Sequence, residues 1–483
     1  MPPACDSEPR SWRAWLSALG PGAIVASLTI GTGELVFSTR AGALFGYGIL
    51  GWIGLVLLLK WALVLASAHY WVHADAHPLQ SWSYLPGPRG WLPILLLLLA
   101  APAFPIWVSF HAGTLGALAA AVTQTRDGFQ GNAPVLWGLA ILVGVLILAA
   151  TGGYARQERF QAIVIAIMVI SVVAALVMLQ PNWADFLGGF FSLGPYTFPE
   201  WAMATPEFRD RPVWVEITTY AGVVGGSGYD YLAYVAWLRD KHGNASSRQM
   251  PLTTLRRMIR LDAVVSFTTV LIFSAVFVAC GALILGPKQQ IPAGSDLLTL
   301  QAQFVEVVGP WLRPLYFTGA FLAMIGTLYG TIEVAPAILR EILHAVRGDP
   351  NLLRSPGLRR WAVGWCAGGA VLVMIGSWVW RLATGSGQPP NLIAWVTPAN
   401  LFTGVLACGW ISGLNLWSNH GRTPGSPALP WPLILLNLCG TVLFTIAGVK
   451  AVYDQQAWIG LGLFAVCLIA AWFLARRNQR QRG

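Results

Sequence analysis

Charge is scarce in this chain. Only 10% of its 483 residues are Asp, Glu, Lys or Arg, against roughly 25% in soluble domains, and a water-exposed surface cannot be built from so few. Cysteine is thin as well: Cys5, Cys280, Cys366, Cys408, Cys439 and Cys467 lie far apart, five of them inside apolar stretches. That scatter excludes a disulfide framework and a zinc-type thiolate cluster. There is no GxxxxGK[ST] phosphate loop, so ATP drive has no support. The opening MPPACDSEPRSWRAWLSALG lacks the order of a cleaved signal peptide, a charged start, a short apolar core and a small-residue site. It reads as a tail that stays in the cytoplasm.

What the chain has is apolar length. Hydrophobic residues make up 56% of it, in blocks of about 20, enough to cross a ~30 Å hydrocarbon core at 1.5 Å per residue. The blocks predict about twelve spans, at 19–46, 48–73, 91–121, 132–151, 158–180, 213–238, 261–286, 312–343, 360–381, 391–417, 430–450 and 457–475. The net charge of +10 would suit nucleic acid, but its distribution says otherwise. With both termini inside, 21 of the 30 Lys and Arg fall on the cytoplasmic side, seven on the other, and Arg40 and Lys60 lie within spans. This is the positive-inside bias of a membrane protein, and no nucleic-acid partner is needed. The fold class is therefore an all-α polytopic membrane protein of the plasma or inner membrane, with the lipid bilayer as its surroundings.

Two spans carry matching irregularities. In the first, Gly31, Thr32 and Gly33 interrupt an apolar helix and Glu34 follows. In the sixth, Gly225, Gly226, Ser227 and Gly228 do the same and Asp230 follows. Glycine costs a helix about 1 kcal/mol relative to alanine, and unwound backbone at membrane depth survives only beside protein or a polar cavity. Two such breaks, four or five spans apart, are the pattern of an inverted-repeat secondary transporter whose substrate lies between discontinuous helices. The competing reading is that the small residues let helices pack closely. The expected organisation is a cytoplasmic tail at 1–18, a five-span repeat at 19–180, an outer loop at 181–212, a second five-span repeat at 213–417, two added spans at 418–475 and a basic tail at 476–483.

The run from Gly20 to Tyr47, with Gly20, Pro21 and Gly22, the Gly31 to Glu34 element, then Ala41, Gly42, Phe45, Gly46 and Tyr47, resembles the first span of the Nramp metal-transporter family. Tyr231, Leu232 and the eighth-span run AMIGTLYGTIE are compatible with it. The resemblance implies a LeuT-type fold, ten core spans in a 5+5 inverted repeat, and proton-coupled uptake of divalent metal of the Mn, Fe or Mg type. Its motifs are not all present: Gly31, Thr32, Gly33 and Glu34 stand where that family has Asp-Pro-Gly-Asn, and Gly226, Ser227 and Gly228 where it has Met-Pro-His.

The residues themselves leave the substrate open. Gly31, Thr32, Gly33, Glu34, Gly226, Ser227, Gly228 and Asp230 form the expected substrate site, with Glu34 and Asp230 as candidate metal ligands beside carbonyls freed at the breaks; oxygen donors suit a hard cation. Glu34, Asp230, Glu333 and Arg40 are candidates for coupling to a proton or sodium ion, although Arg40 and Lys60 could equally neutralise the acids as structural partners. A small amino or carboxylic acid held by half-helix N–H groups is the rival substrate, and a non-transporting protein on the same fold a third reading. His69, His73 and His77 share one face of the second span near Asp75 and read as an interfacial helix end. Thr397, Pro398 and Asn400 mark a kink or close packing in the tenth span. No catalytic residue and no cofactor is expected, only a transported ion or small molecule.

Overall fold

The structure is a computed structural model that describes residues 20–151, 163, 174, 176–243, 250–306, 309–384, 392–420, 428–455 and 458–480. The expected fifth span falls largely outside the described residues, as do the first tail and the end of the last. Among the described residues the regular structure is entirely helical, and nine stretches are long and apolar enough to cross a bilayer. The first of them, Pro21–Ala74, holds two expected spans, separated at Gly46 (φ 59°) by the short 3₁₀ turn Gly46–Ile49. The sixth is not among the nine because it is divided into two short helices, Val213–Val223 and Gly228–His242. The helical order is thus the one the sequence predicts.

Burial sorts the spans into centre and rim. The most apolar windows of Pro21–Ala74 and Pro310–Arg347 are 78% and 83% buried against protein, whereas those of Trp431–Asp454 and Gly460–Arg480 are 28% and 11% buried. Their outward faces carry Leu435, Val442, Ile446, Val449, Leu463 and Ile469, side chains that lipid solvates as well as protein does. The two final spans therefore skirt a bundle built around the first, sixth and eighth.

The loop between the fifth and sixth spans is ordered where it is described. It carries the short helices Trp183–Gly189 and Glu200–Met203. Phe198, Ala202 and Phe208 pack with Leu44 at the outer end of the first span, and Phe45 stacks on Phe198 with ring centroids 5.8 Å apart. Aromatic residues of this outer loop thus cover the outer end of the first span.

At the opposite end a carboxylate ties the first span down. A helix start leaves N–H groups without intrahelical partners, and here Asp262 of the seventh span accepts from Gly20 N (3.0 Å, Oδ1) and Gly22 N (2.9 Å, Oδ2). Tyr234 donates its hydroxyl to the same carboxylate at 3.0 Å, and Ser266 donates to Gly22 O at 2.7 Å. Three spans thus meet at one buried acid. Replacing it strands two backbone donors, so Asp262→Ala is expected to lower stability by about 2–4 kcal/mol and Asp262→Asn by less. Thermal unfolding of the detergent-purified variants measures both, and equal losses would mean that charge rather than hydrogen-bond acceptance holds the helix start.

Candidate functional site

The sixth span breaks because its sequence leaves the helical region. Val224 is extended (φ −64°, ψ 126°), and Gly225 and Gly226 have φ of 79° and 100°, a region that side chains with a Cβ pay to enter. Ser227 is extended again before helix resumes at Gly228. Such a break releases carbonyls and amides in a place without water, and every one must find a partner.

Side chains take most of the freed carbonyls. Lys60, wholly buried in the second span, donates Nζ to Gly222 O (3.4 Å), Val224 O (2.7 Å) and Gly226 O (2.6 Å). Tyr231 donates its hydroxyl to Gly225 O (2.6 Å) and Gly226 O (3.3 Å). Asn400 of the tenth span donates to Thr219 O at 3.0 Å. The amides are equally occupied: Gly225 N donates to Glu34 Oε1 (3.3 Å), Gly226 N to Val223 O (3.1 Å) and Ser227 N to Asp230 Oδ2 (2.6 Å). Carbonyls expected to meet a transported cation meet an ammonium of the protein instead.

The first span is interrupted in another way. It runs as Pro21–Thr29, a π-helical segment Ile30–Ser38, and Thr39–Phe45, so the backbone at Gly31–Glu34 changes hydrogen-bond register rather than unwinding. π-Bulges of this kind frequently mark functional positions. Gly31 N donates to Thr327 Oγ1 of the eighth span at 3.1 Å, and a Cβ on Gly31 would lie 2.3 Å from that hydroxyl. On Gly33 it would lie 3.0 Å from Val223 O. These two glycines thus also serve close packing, the competing reading of the sequence. Glu34 is fully buried, and its Oε2 has no hydrogen-bond partner.

The two acids are brought to the same break but not to the same cavity. A small cavity of about 50 Å³ is lined by Thr29, Thr32, His111, Ser227, Asp230 and Thr331, among others. Asp230 lines it while capping the Gly228 helix; Glu34, which is not part of the lining, accepts from Gly225 N. Both lie within electrostatic reach of Lys60. His111, in the third span, was not singled out by sequence reasoning. Its Nδ1 is buried without a hydrogen-bond partner, and its ring stacks on Trp107 at 5.6 Å. A single ionisable side chain in an apolar span was the available signal. Among the described residues no group of three or more His, Cys, Asp or Glu is placed to hold a metal, so a cation in this cavity would draw on one carboxylate, one imidazole and hydroxyls.

Other candidates serve different ends. Arg40 makes ion pairs with Glu216 (2.6 Å) and Glu207 (2.7 Å), donates to Pro292 O (3.0 Å) and stacks over Phe208 at 4.7 Å. Arg211 pairs with the other oxygen of Glu216 at 2.6 Å. This knot lies at the outer end of the first and sixth spans, so Arg40 neutralises neither Glu34 nor Asp230. Glu333 pairs with Arg359 of the ninth span. His69 Nδ1 pairs with Asn419 Oδ1 (3.0 Å) and His73 Nδ1 with Arg256 (3.0 Å), and their rings pack with centroids 4.3 Å apart. His77 does not share their face, because the helix ends at Ala74 and the buried His77 caps the next helix, Pro78–Trp82, with its Nε2 3.0 Å from Leu232 O. Thr397 bonds back to Ile393 O at 2.7 Å, while Asn400 faces the break.

A family model described as natural resistance-associated macrophage protein-like, Nramp, matches residues 22–382. A Pasteurella multocida (strain Pm70) protein of uncharacterized function is 24% identical over 353 residues, 70% of this chain and 73% of that protein. Crystal structures of the Eremococcus coleocola manganese transporter, one in complex with an aromatic bis-isothiourea substituted compound and one a single-substitution variant, match with a TM-score of 0.68 at 14% identity. The match covers 98% of this chain and 97% of theirs. At that identity the likeness speaks for the fold, which is the LeuT type.

The outer knot allows a direct test. Removing one partner from a buried ion pair leaves an uncompensated charge, at a cost of about 3–5 kcal/mol. Arg40→Met is expected to lose that much, and Arg40→Lys most of it, because one ammonium cannot reach the three acceptors that the guanidinium fork spans. The double change Arg40→Met with Glu216→Gln should recover part of the loss in thermal unfolding; a strictly additive double variant would show that the two groups do not interact.

Proposed function

The chain belongs to the Nramp family, integral membrane metal-ion transporters rather than enzymes, and from that membership we propose a proton-coupled secondary transporter that moves a divalent cation of the Mn, Fe or Mg type. In this reading residues 19–180 and 213–417 are the two inverted halves and 418–475 two added spans. Both termini lie in the cytoplasm of the plasma or inner membrane, on the side to which the Lys and Arg bias points.

The observation that carries the proposal is the cavity at the sixth-span break. The polar residues that line it are Asp230, His111, Ser227 and the hydroxyl-bearing Thr29, Thr32 and Thr331. Carboxylate and hydroxyl oxygens with one imidazole suit Mn²⁺ or Fe²⁺ and tolerate Mg²⁺, while the absence of thiolate and thioether from this set disfavours softer ions. Few protein ligands imply that the ion keeps part of its water. Glu34, buried with one oxygen unpartnered, is the candidate proton carrier, since a carboxyl group in that position is neutralised most cheaply by protonation. Glu333 and Arg40, each engaged in ion pairs, are assigned to holding the bundle rather than to coupling.

The same hydrogen bonds argue against the carboxylate-substrate reading. An anion would need free N–H groups at the helix ends, and those of Gly31, Gly225, Gly226 and Ser227 already have partners inside the protein.

Uptake by purified protein in sealed liposomes tests the proposal, with Mn²⁺, Mg²⁺ and a panel of amino acids and with an imposed pH gradient. Saturable metal entry is expected, reduced tenfold or more by Asp230→Asn and several-fold by His111→Ala. Glu34→Gln should leave metal-dependent quenching of a site fluorophore in place while removing the acceleration by the gradient. Entry of an organic solute with indifference to metal would overturn the assignment.

A further inference from the structure

Lys60 is an unusual buried charge. Taking an ammonium out of water costs several kcal/mol, and proteins ordinarily offset that with a carboxylate in contact. Here the contacts are carbonyl oxygens: Gly222 O, Val224 O and Gly226 O converge on Nζ at 3.4, 2.7 and 2.6 Å. Gly225 and Gly226 hold the left-handed conformations that turn these oxygens inward, and Tyr231 fixes the intervening Gly225 O at 2.6 Å. Backbone carbonyls that replace a hydration shell are how proteins bind monovalent cations at membrane depth. The three contacts are hydrogen-bond lengths for an ammonium, and all are longer than the about 2.0–2.1 Å that Mg²⁺ demands.

We infer that the carbonyl cage at the sixth-span break is a monovalent-cation site filled by the Lys60 ammonium, a cation that the chain carries on its own tether. The protein then needs no free Na⁺ or K⁺ to complete the break, and removing the tether converts the cage into a site for one. The inference goes beyond metal transport; the cage shares Gly222 and Gly226 with the lining of the Asp230 and His111 cavity, but its test reads salt-dependent stability rather than uptake, so either can fail without the other.

The experiment is thermal unfolding of detergent-purified wild type, Lys60→Met, Lys60→Ala and Lys60→Arg in LiCl, NaCl, KCl or RbCl, with N-methyl-D-glucamine chloride holding ionic strength constant. Wild type and Lys60→Arg, which keep a tethered cation, should be flat across the series. Lys60→Met or Lys60→Ala should show a saturable rise of about 3 °C or more with one of the small ions, or should be recoverable from membranes only in its presence; either result supports the cage. A folded Lys60→Met and Lys60→Ala indifferent to all four ions would overturn it. So would a rise of equal size in the wild type, or failure to recover either variant in every salt.

Discussion

The structure depends on one constraint: backbone polar groups freed inside a bilayer must be satisfied by the protein itself. At the sixth span the chain gives up helical hydrogen bonds over a few residues, and side chains from four spans supply the replacements. Lys60 comes from the second span, Glu34 from the first, Asn400 from the tenth, and Tyr231 and Asp230 from the sixth itself. The break is therefore a junction, and these spans cannot move independently without exposing a bare carbonyl or amide. That requirement gives a physical reason for a charged lysine and a buried glutamate in segments that otherwise read as lipid-compatible.

Much of this was legible in the sequence. Block length predicted the spans that the described residues contain, and the Gly225 to Asp230 run predicted the break, because glycine clusters beside an acid have few other uses at that depth. The first span was harder. Gly31 to Gly33 looks like the sixth-span run in composition, yet the backbone there becomes a π-helix, since Thr327 offers a partner for the Gly31 amide and the glycines admit neighbouring spans. No single-sequence pattern contains that information, which resides in the contact between distant spans.

The site was legible in part. Glu34 and Asp230 do come to the same break, but they bond different amides of it and only Asp230 lines the cavity. Lys60 stood out only as a charge within a span, and its role depends on carbonyls more than 160 positions away. His111 went unremarked because one histidine among apolar residues has no periodicity to betray it, whereas His69, His73 and His77 drew notice by their spacing, of which only His69 and His73 share a helix face. Regular spacing reports a helix face; a functional group in this fold is defined by what crosses from another span.

The outer knot of Arg40, Arg211, Glu207 and Glu216 has a further property. Two positive and two negative groups sum to zero, so the assembled cover carries almost no long-range field and neither draws cations to the surface nor repels them. Its members belong to different pieces: Arg40 to the first span, Glu216 to the sixth, Glu207 and Arg211 to the outer loop. Any motion that parts the first span from the sixth must separate these charges and turn a neutral cover into a mouth with a positive wall and a negative one. Separation of these groups would polarise an end of the bundle that the assembled knot leaves locally neutral.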